Sequence, residues 1–497
     1  MVSAKMRIGI ALLFLCSGVS DAIAQVSADA VWAKWRDLLV SAGYVVTAQE
    51  NQHGDSLSIQ DLTLTVVSDE RDITANVEVD ELLMTVAENN RIKIEFPKII
   101  PIKVELRDAT DSKLDVTLNL TADALRTFAE GTNNDIRLTY AAAAIYLTID
   151  SVTEDDVPLS ADEYDFNLRL SKINGTAAIN PPLIKHFLMG EGVDINALFL
   201  DRTKTEQFRL SGKSAEFIFE DEGFSVNPLS AQDVIDQIKE GLSKTVTLLV
   251  NSGEISTLFK GKNEEVAIAS SIDRSRFEAA LGKTRQQQRN RHENISFVME
   301  TSETTAPVTG QVGQVQLDIE RPVIASEELQ EFRLAGMIKE IRFSDEVWND
   351  FDPNRHLPRE ASNITIDFTG RTLLSTDSLD FPFHAITEGP KQLRFGGVRS
   401  VNFNTINATA MGAELAANGQ FTIADSYPIG ELNVTITNGS ELINRLVAAG
   451  IMPDKLATAA RATLGLLTQQ SEAENTLTSR IEFNDQGQVI ANGQRLR

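Results

Sequence analysis

The apolar positions of this chain recur mostly every second residue. Ile73, Ala75, Val77 and Val79 alternate with polar neighbours, as do Leu114, Val116, Leu118 and Leu120, and later Leu432, Val434 and Ile436. A period of two puts one set of side chains on each face of a strand, so the pattern predicts a protein built mainly of β-structure. The first element departs from it. In DAVWAKWRDLLVSAG, Val31, Trp35, Leu38 and Ala42 follow helical spacing and Gly43 supplies a stop.

The alternation also changes phase, repeatedly and in the same manner. In SLSIQDLTLTV, residues 56–66, Leu57 and Ile59 are odd whereas Leu62, Leu64 and Val66 are even. NVEVDELLMTV repeats the change at an offset of 20, and FRLSGKSAEFIF (208–219) and FRLAGMIKEIRF (332–343) show it again. A β-bulge would bend a long strand and keep one face apolar; a tight turn would make two strands. The linking residues Gln60-Asp61 and Asp80-Glu81 lack the Asn-Gly or Asp-Gly of two-residue hairpins. Long bulged strands are therefore expected, with Gly212 and Gly336 suited to a bulge or a close backbone approach.

A second module, made of a strand, a cap, a short amphipathic helix and a glycine, is expected at 114–131 with Thr121 as N-cap, at 266–282, and at 432–450 with Ser440 as N-cap. The longest helical reading covers 230–250 through Val234, Ile238, Leu242 and Leu249. Another starts at Pro453 and runs through Leu456, Ala460 and Leu464. Residues 283–293, KTRQQQRNRHE, are the most polar stretch and predict a linker or exposed loop, and a hairpin around Asp485 to Gly487 is expected near the end. The fold class that follows is β-rich α+β: long, curved, mostly antiparallel sheets built from related β units, with short amphipathic helices packed on them.

Composition adds a compartment. The first 24 residues combine Lys5 and Arg7, an apolar run from Ile8 to Val19, and Ala22-x-Ala24, the parts of a secretory signal peptide. Export to the periplasm with cleavage after Ala24 is expected, and no later stretch approaches the roughly 20 apolar residues of a membrane helix. The expected order is thus a signal peptide at 1–24, an N-terminal β-rich unit with flanking helices at 25–255, and a C-terminal β-rich unit at 256–497 with helices near 440–467. The one cysteine, Cys16, lies in the apolar run, so disulfides play no part, and Leu15 before it argues against lipidation. A net charge of -25 repels polyphosphate backbones and excludes nucleic acid as the main partner.

No recognisable catalytic constellation accompanies this framework. There is no G-x-S-x-G elbow, P-loop or dinucleotide-binding glycine motif, and His53, His186, His292, His356 and His384 are far apart. The expectation is that the protein is not an enzyme and has neither cofactor nor metal. In NDFDPNRH, Asp350, Asp352 and Asn354 imitate a calcium loop, but Arg355 stands where Gly is needed and Ala361 where a bidentate Glu is needed. Two sets of candidate contact residues remain. Leu62, Leu64, Leu82 and Met84 alternate as a ligand lining would, and equally as plain core would. Lys283, Arg285, Arg289 and Arg291, with Arg274 and Arg276 nearby, form a basic segment suited to a lipid headgroup or an acidic partner surface.

Three stretches together carry a resemblance: AVWAKWRDLLVSAG, HGDSLSIQDLTLTV, and GQFTIADSYPIGELNVTITNGSELINRLVAAGIMP. They resemble the exported alphaproteobacterial proteins of domain of unknown function family 2125, and more distantly the AsmA-like envelope proteins. The first likeness implies no catalytic residues. The second implies repeated β units forming curved sheets with an apolar groove linked to lipid traffic or outer-membrane upkeep. The expected function is therefore binding or carrying of lipid or another apolar ligand in envelope maintenance. The alternative is a structural or assembly factor that binds another envelope protein.

Overall fold

The computed structural model describes residues 26–68, 73–107, 112–224, 231–303, 306–377, 379, 397–424 and 427–496. The expected signal peptide, with Cys16, lies outside them, as does His384. Strand makes up 64% and helix 13%, and the strand pairings are antiparallel, which fixes the β-rich class. The chain divides into two units, one through Ser271 plus Ala280–Gly282, the other Ile272–Ala279 plus Lys283–Arg497.

The first unit opens with helix α1 (Ala28–Ser41), whose Ser27 cap accepts the Ala30 N–H at 3.2 Å and so satisfies one free amide. Gly43, at φ +82°, lets the chain leave the helix in the left-handed region. Fifteen strands follow: β1 (Val45–His53), β2 (Ser56–Ser68), β3 (Ile73–Val86), β4 (Ile92–Glu95), β5 (Ile99–Arg107), β6 (Lys113–Asp123), β7 (Arg126–Gly131), β8 (Ile136–Glu154), β9 (Val157–Pro158), β10 (Tyr164–Asn180), β11 (Leu183–Gly190), β12 (Gly192–Leu200), β13 (Gln207–Phe224), β14 (Lys244–Lys260) and β15 (Glu265–Leu281), along which the unit boundary runs. Long strands are bridged by pairs of short ones laid end to end. β4 and β5 both pair with β3, β7 and β6 both with β8, and β11 and β12 both lie between β10 and β13. Strands distant in this ladder, β1 to β3 and β10, all touch α1, so this part of the sheet wraps the helix. Trp32, Ile59, Leu82, Met84, Ile92 and Leu138 are fully buried in the resulting core.

β2 is one strand, and the phase change inside it is a kink, not a turn. Asp61 takes a left-handed conformation, φ 50°, and makes an extra residue against β1, whose register shifts between Thr47 and Gln49. Against β3 the register is unbroken: Gln60 faces Glu81 and Leu62 faces Val79, with Asp61 opposite Asp80. Both strands therefore change parity together, and Leu57, Ile59 and Leu62 stay buried on one face with Leu64 half-buried against the same cluster. The device recurs. Lys172 lies opposite Ala143, Ser252 opposite Ala215, and Asn294 and Glu340 both opposite Gly313, each of the four left-handed; the first three skip one rung of the ladder and Glu340 two. Gly212 and Gly336 are not the kinks but close approaches, where a Cβ would meet Ile195 at 3.1 Å and Ile366 at 3.2 Å.

The second unit contains β16 (Gln286–Thr301), β17 (Val308–Arg321), β18 (Gln330–Phe343), β19 (Ser362–Thr372), β20 (Val398–Ala410), β21 (Ala413–Ala424), β22 (Tyr427–Thr437), β23 (Gln469–Gln470), β24 (Thr476–Phe483), β25 (Val489–Ala491) and β26 (Gln494–Arg495). The hairpin expected around Asp485 to Gly487 is β24 to β25. After α1, the further α-helices among the described residues are α2 (Ala231–Lys239), α3 (Asp345–Phe351), α4 (Gly439–Ala448) and α5 (Asp454–Leu467).

Four expected elements take another form. Residues 114–131 hold no helix: β7 lies between β4 and β8, which bury Thr127 and Ala129 and leave Phe128 under Arg91 at 4.3 Å. Residues 266–282 are β15, because ladder pairing overrides the apolar spacing of Phe277 and Leu281. The helix expected at 230–250 ends at Lys239. Gly241, at φ +93°, turns the chain, and the β-branched run Thr245-Val246-Thr247 suits a strand. The expected linker at 283–293 enters β16 at Gln286. In the module that does end in a helix, α4, the N-cap is Asn438 at φ 57°, and its amide donates to the Gly412 carbonyl at 2.9 Å instead of capping.

Candidate functional site

The apolar residues singled out by their alternation lie beneath α1. Leu82 and Met84 are 0% exposed and Leu62 4%, in one cluster with Trp32 and Trp35. The helix is tied down at its rim, where the Trp32 indole N–H and the Arg36 guanidinium both donate to Glu50 Oε1 at 2.7 Å. A ligand could reach these residues only by displacing α1.

Beyond α1 the inward face of the first unit carries a buried polar group that no local spacing announces. His186 on β11 faces Asp221 on β13, its Nε2 lies 3.1 Å from the Tyr140 hydroxyl of β8, and Phe219 stands edge-on to its ring. Lys244, at the start of β14, pairs with Asp221 at 2.5 Å and donates to the Phe224 carbonyl at 3.1 Å. Burial pushes the Asp221 carboxyl up against the opposing pull of Lys244. Burial, with Lys244 adding to it, pulls His186 down to about 4, so the imidazole is neutral at pH 7. The four residues come from four strands, so no spacing along the chain announces them.

The second unit is a sheet with two unlike faces. Residues directly opposed in an antiparallel pair point to the same side. That rule carries one face from Val315 and Leu317 on β17 to Ile338 and Gly336 on β18, then to Ile364 and Ile366 on β19, Ala408 and Ile406 on β20, Leu415 and Ala417 on β21, Ile436 and Val434 on β22. Its phenyl rings form a run, Phe368 to Phe403, Phe421 and Phe483, with centroids 5.0, 5.6 and 5.5 Å apart and edges to faces. Rings also cover glycines: a Cβ at Gly370 would come within 2.5 Å of Phe332 and one at Gly310 within 2.6 Å of Phe297. The opposite face holds the ion pairs Arg333–Asp367, at 2.9 Å, and Arg480–Glu431, at 2.7 Å.

The apolar face is only partly covered. Of the side chains named on it Ala417 alone is buried, whereas Ile364 is 43% and Leu415 37% exposed. The C-terminal end of α5 reaches it at one place, where Ser479 Oγ donates to the Leu467 carbonyl at 2.5 Å.

The basic segment is paired only in part. Arg285 pairs with Glu320, Arg289 faces Asp318 in the ladder, Arg291 pairs with Glu293 at 3.0 Å, and Lys283 is exposed just before β16. The calcium-like run has another use. Asp352 is fully buried, and although burial pushes its carboxyl up, the backbone N–H groups of Leu357 and His356 hold it below the usual range, at 2.8 and 2.9 Å. Its oxygens fasten the turn after α3. No cluster of three or more His, Cys, Asp or Glu side chains that could hold a metal occurs among the described residues.

These features define an antiparallel β-sheet protein with one polar face and one apolar face left largely open in its C-terminal unit. Residues 257–496, just under half of the chain, match the model of the family described as "Uncharacterized protein conserved in bacteria (DUF2125)". The match begins after the α1 and SLSIQDLTLTV stretches. No curated protein and no solved structure matches the chain.

Proposed function

We propose that this chain is an exported periplasmic carrier that holds a lipid or another apolar ligand against the open sheet face. The observation that supports this is the contrast between its faces: eight paired strands from β16 to β24 present aliphatic and phenyl side chains on one side, and most remain half-exposed. Neighbouring strands lie about 4.8 Å apart, so the face is roughly 34 Å across, longer than an extended acyl chain of ordinary length. Each methylene withdrawn from water onto it contributes about 0.8 kcal/mol. No helix among the described residues is long and apolar enough to cross a membrane.

A fluorescent fatty acid and diphenylhexatriene, titrated into the purified chain, test the reading. Saturable uptake that is lost in Leu334→Glu/Ile366→Glu, with far-ultraviolet circular dichroism unchanged, supports it. Lack of uptake of both probes by the wild-type protein removes it.

A further inference from the structure

The polar stretch whose composition predicts a linker enters β16, the strand beside β17 of the apolar face. On β16, Gln286, Gln288, Asn290 and His292 alternate onto one side, and the ladder sets them opposite Arg321, Ile319, Leu317 and Val315 in turn. The last three are residues of the apolar face itself. Alternate residues of a strand are about 6.7 Å apart, so the four side chains form a row of uncharged hydrogen-bonding groups roughly 20 Å long.

The two ends of the row are occupied. Gln286 Oε1 accepts from the Arg321 guanidinium at 2.6 Å, and His292 Nδ1 lies 3.0 Å from the Ser275 hydroxyl. Its middle is not: Gln288 and Asn290 are half-buried, and their amides have no hydrogen-bond partner among the described residues. A half-buried amide with no partner is unfavourable unless a ligand or water supplies one. An amide both donates and accepts, and it carries no charge. Arg321 is the one cation on this side of β16 and β17, and its guanidinium is already bonded to Gln286 and to the Leu379 carbonyl.

We infer that the ligand of the open face is an uncharged diacyl lipid whose ester linkages and free hydroxyl lie along Gln288 and Asn290 while its chains lie on β17 and beyond. This rests on the proposed function and specifies its ligand. A free fatty acid does not fit, because its carboxylate would meet amides where it needs a cation. An extended peptide does not fit either: it would bring a donor and an acceptor at nearly every residue, and beyond β16 the face has nothing to pair them with.

The test is equilibrium binding of two probes, a nitrobenzoxadiazole-labelled diacylglycerol and diphenylhexatriene, to the full chain and to two variants. Wild type is expected to prefer the diacylglycerol, with an unlabelled fatty acid and an apolar peptide competing poorly. Gln288→Leu/Asn290→Leu, which removes two neutral hydrogen bonds, is expected to weaken diacylglycerol binding about tenfold and leave diphenylhexatriene binding unchanged. Asn290→Gln, which keeps an amide, is expected to retain the preference. Equal affinity of the leucine variant and wild type for diacylglycerol would overturn the inference and leave the apolar carrier standing, as would stronger competition by the fatty acid or the peptide. Parallel loss of both probes in the leucine variant would also overturn it, since the row would then act on the fold. If wild type binds neither probe, the carrier reading itself fails.

Discussion

Acidification should destabilise the first unit through one residue. His186 is held at about 4 by burial and by Lys244, against an ordinary value of 6.5. Between these values the unfolded chain binds a proton at this site that the folded chain does not, so stability rises with pH across the window and is lost as pH falls. The drop of two and a half units corresponds to about 3 kcal/mol, a large share of the stability of an ordinary domain. Asp221, whose folded value is raised, works in the opposite sense, its contribution being lost as pH rises through that value. The comparison to make is therefore wild type against His186→Gln, whose amide can bond the Tyr140 hydroxyl as donor or acceptor. Urea unfolding can be followed in a Trp348→Phe background, where the remaining tryptophans, Trp32 and Trp35, report on the first unit. From pH 7 to pH 4 wild type should lose about 3 kcal/mol more than the variant, with unchanged m-values. Parallel losses would show that His186 protonates as easily in the folded protein as in the unfolded one, and the account of its burial would be wrong.

Three further outcomes are expected. Lys244→Met leaves the Asp221 carboxylate buried beside a thioether and should cost about 3–5 kcal/mol in urea unfolding, whereas Asp221→Leu/Lys244→Met should recover most of it. At the first kink, Asp61→Val forces a β-branched residue to φ 50° and should destabilise by about 1–2 kcal/mol, with Asp61→Gly at least as stable as wild type by the same assay. Leu82→Ala, in the closed core under α1, should cost about 2–5 kcal/mol, whereas Leu334→Ala on the open face should cost clearly less, since a half-exposed side chain leaves no sealed cavity.

The β-rich class was legible because period two runs through most of the chain, and α1 because its apolar spacing and the Gly43 stop agree. The kink in β2 was legible as well: the parity change at Gln60-Asp61 lacked the chemistry of a turn, and continuity was the remaining reading. Where sequence reasoning erred, the cause was local spacing in conflict with pairing. Residues 114–131 read as a strand, a cap at Thr121 and a short helix, but β4 and β8 offer β7 two ladders, and an isolated helical turn offers no comparable gain. The row on β16 stayed hidden for a different reason. Gln288 and Asn290 alternate with Arg289 and Arg291, so both faces of the strand are polar and hydropathy shows no period at all. The group around His186 had no signal to read, since register among four strands, not spacing along one, assembles it.

The paired kink has a consequence best put in the language of reading frames. Asp61 behaves as a one-residue insertion in β2 and Asp80 as a compensating insertion in β3, so each strand shifts frame where its neighbour does and the message on the buried face is preserved. Removing one of the two would send the rest of that strand out of phase with its partner, turning Leu62, Leu64 and Val66 outward or forcing the ladder to slip. Removing both would restore plain alternation to both strands, with every buried residue still facing inward. A chain built this way can gain or lose single residues in the middle of its longest strands, provided that it does so in neighbouring pairs.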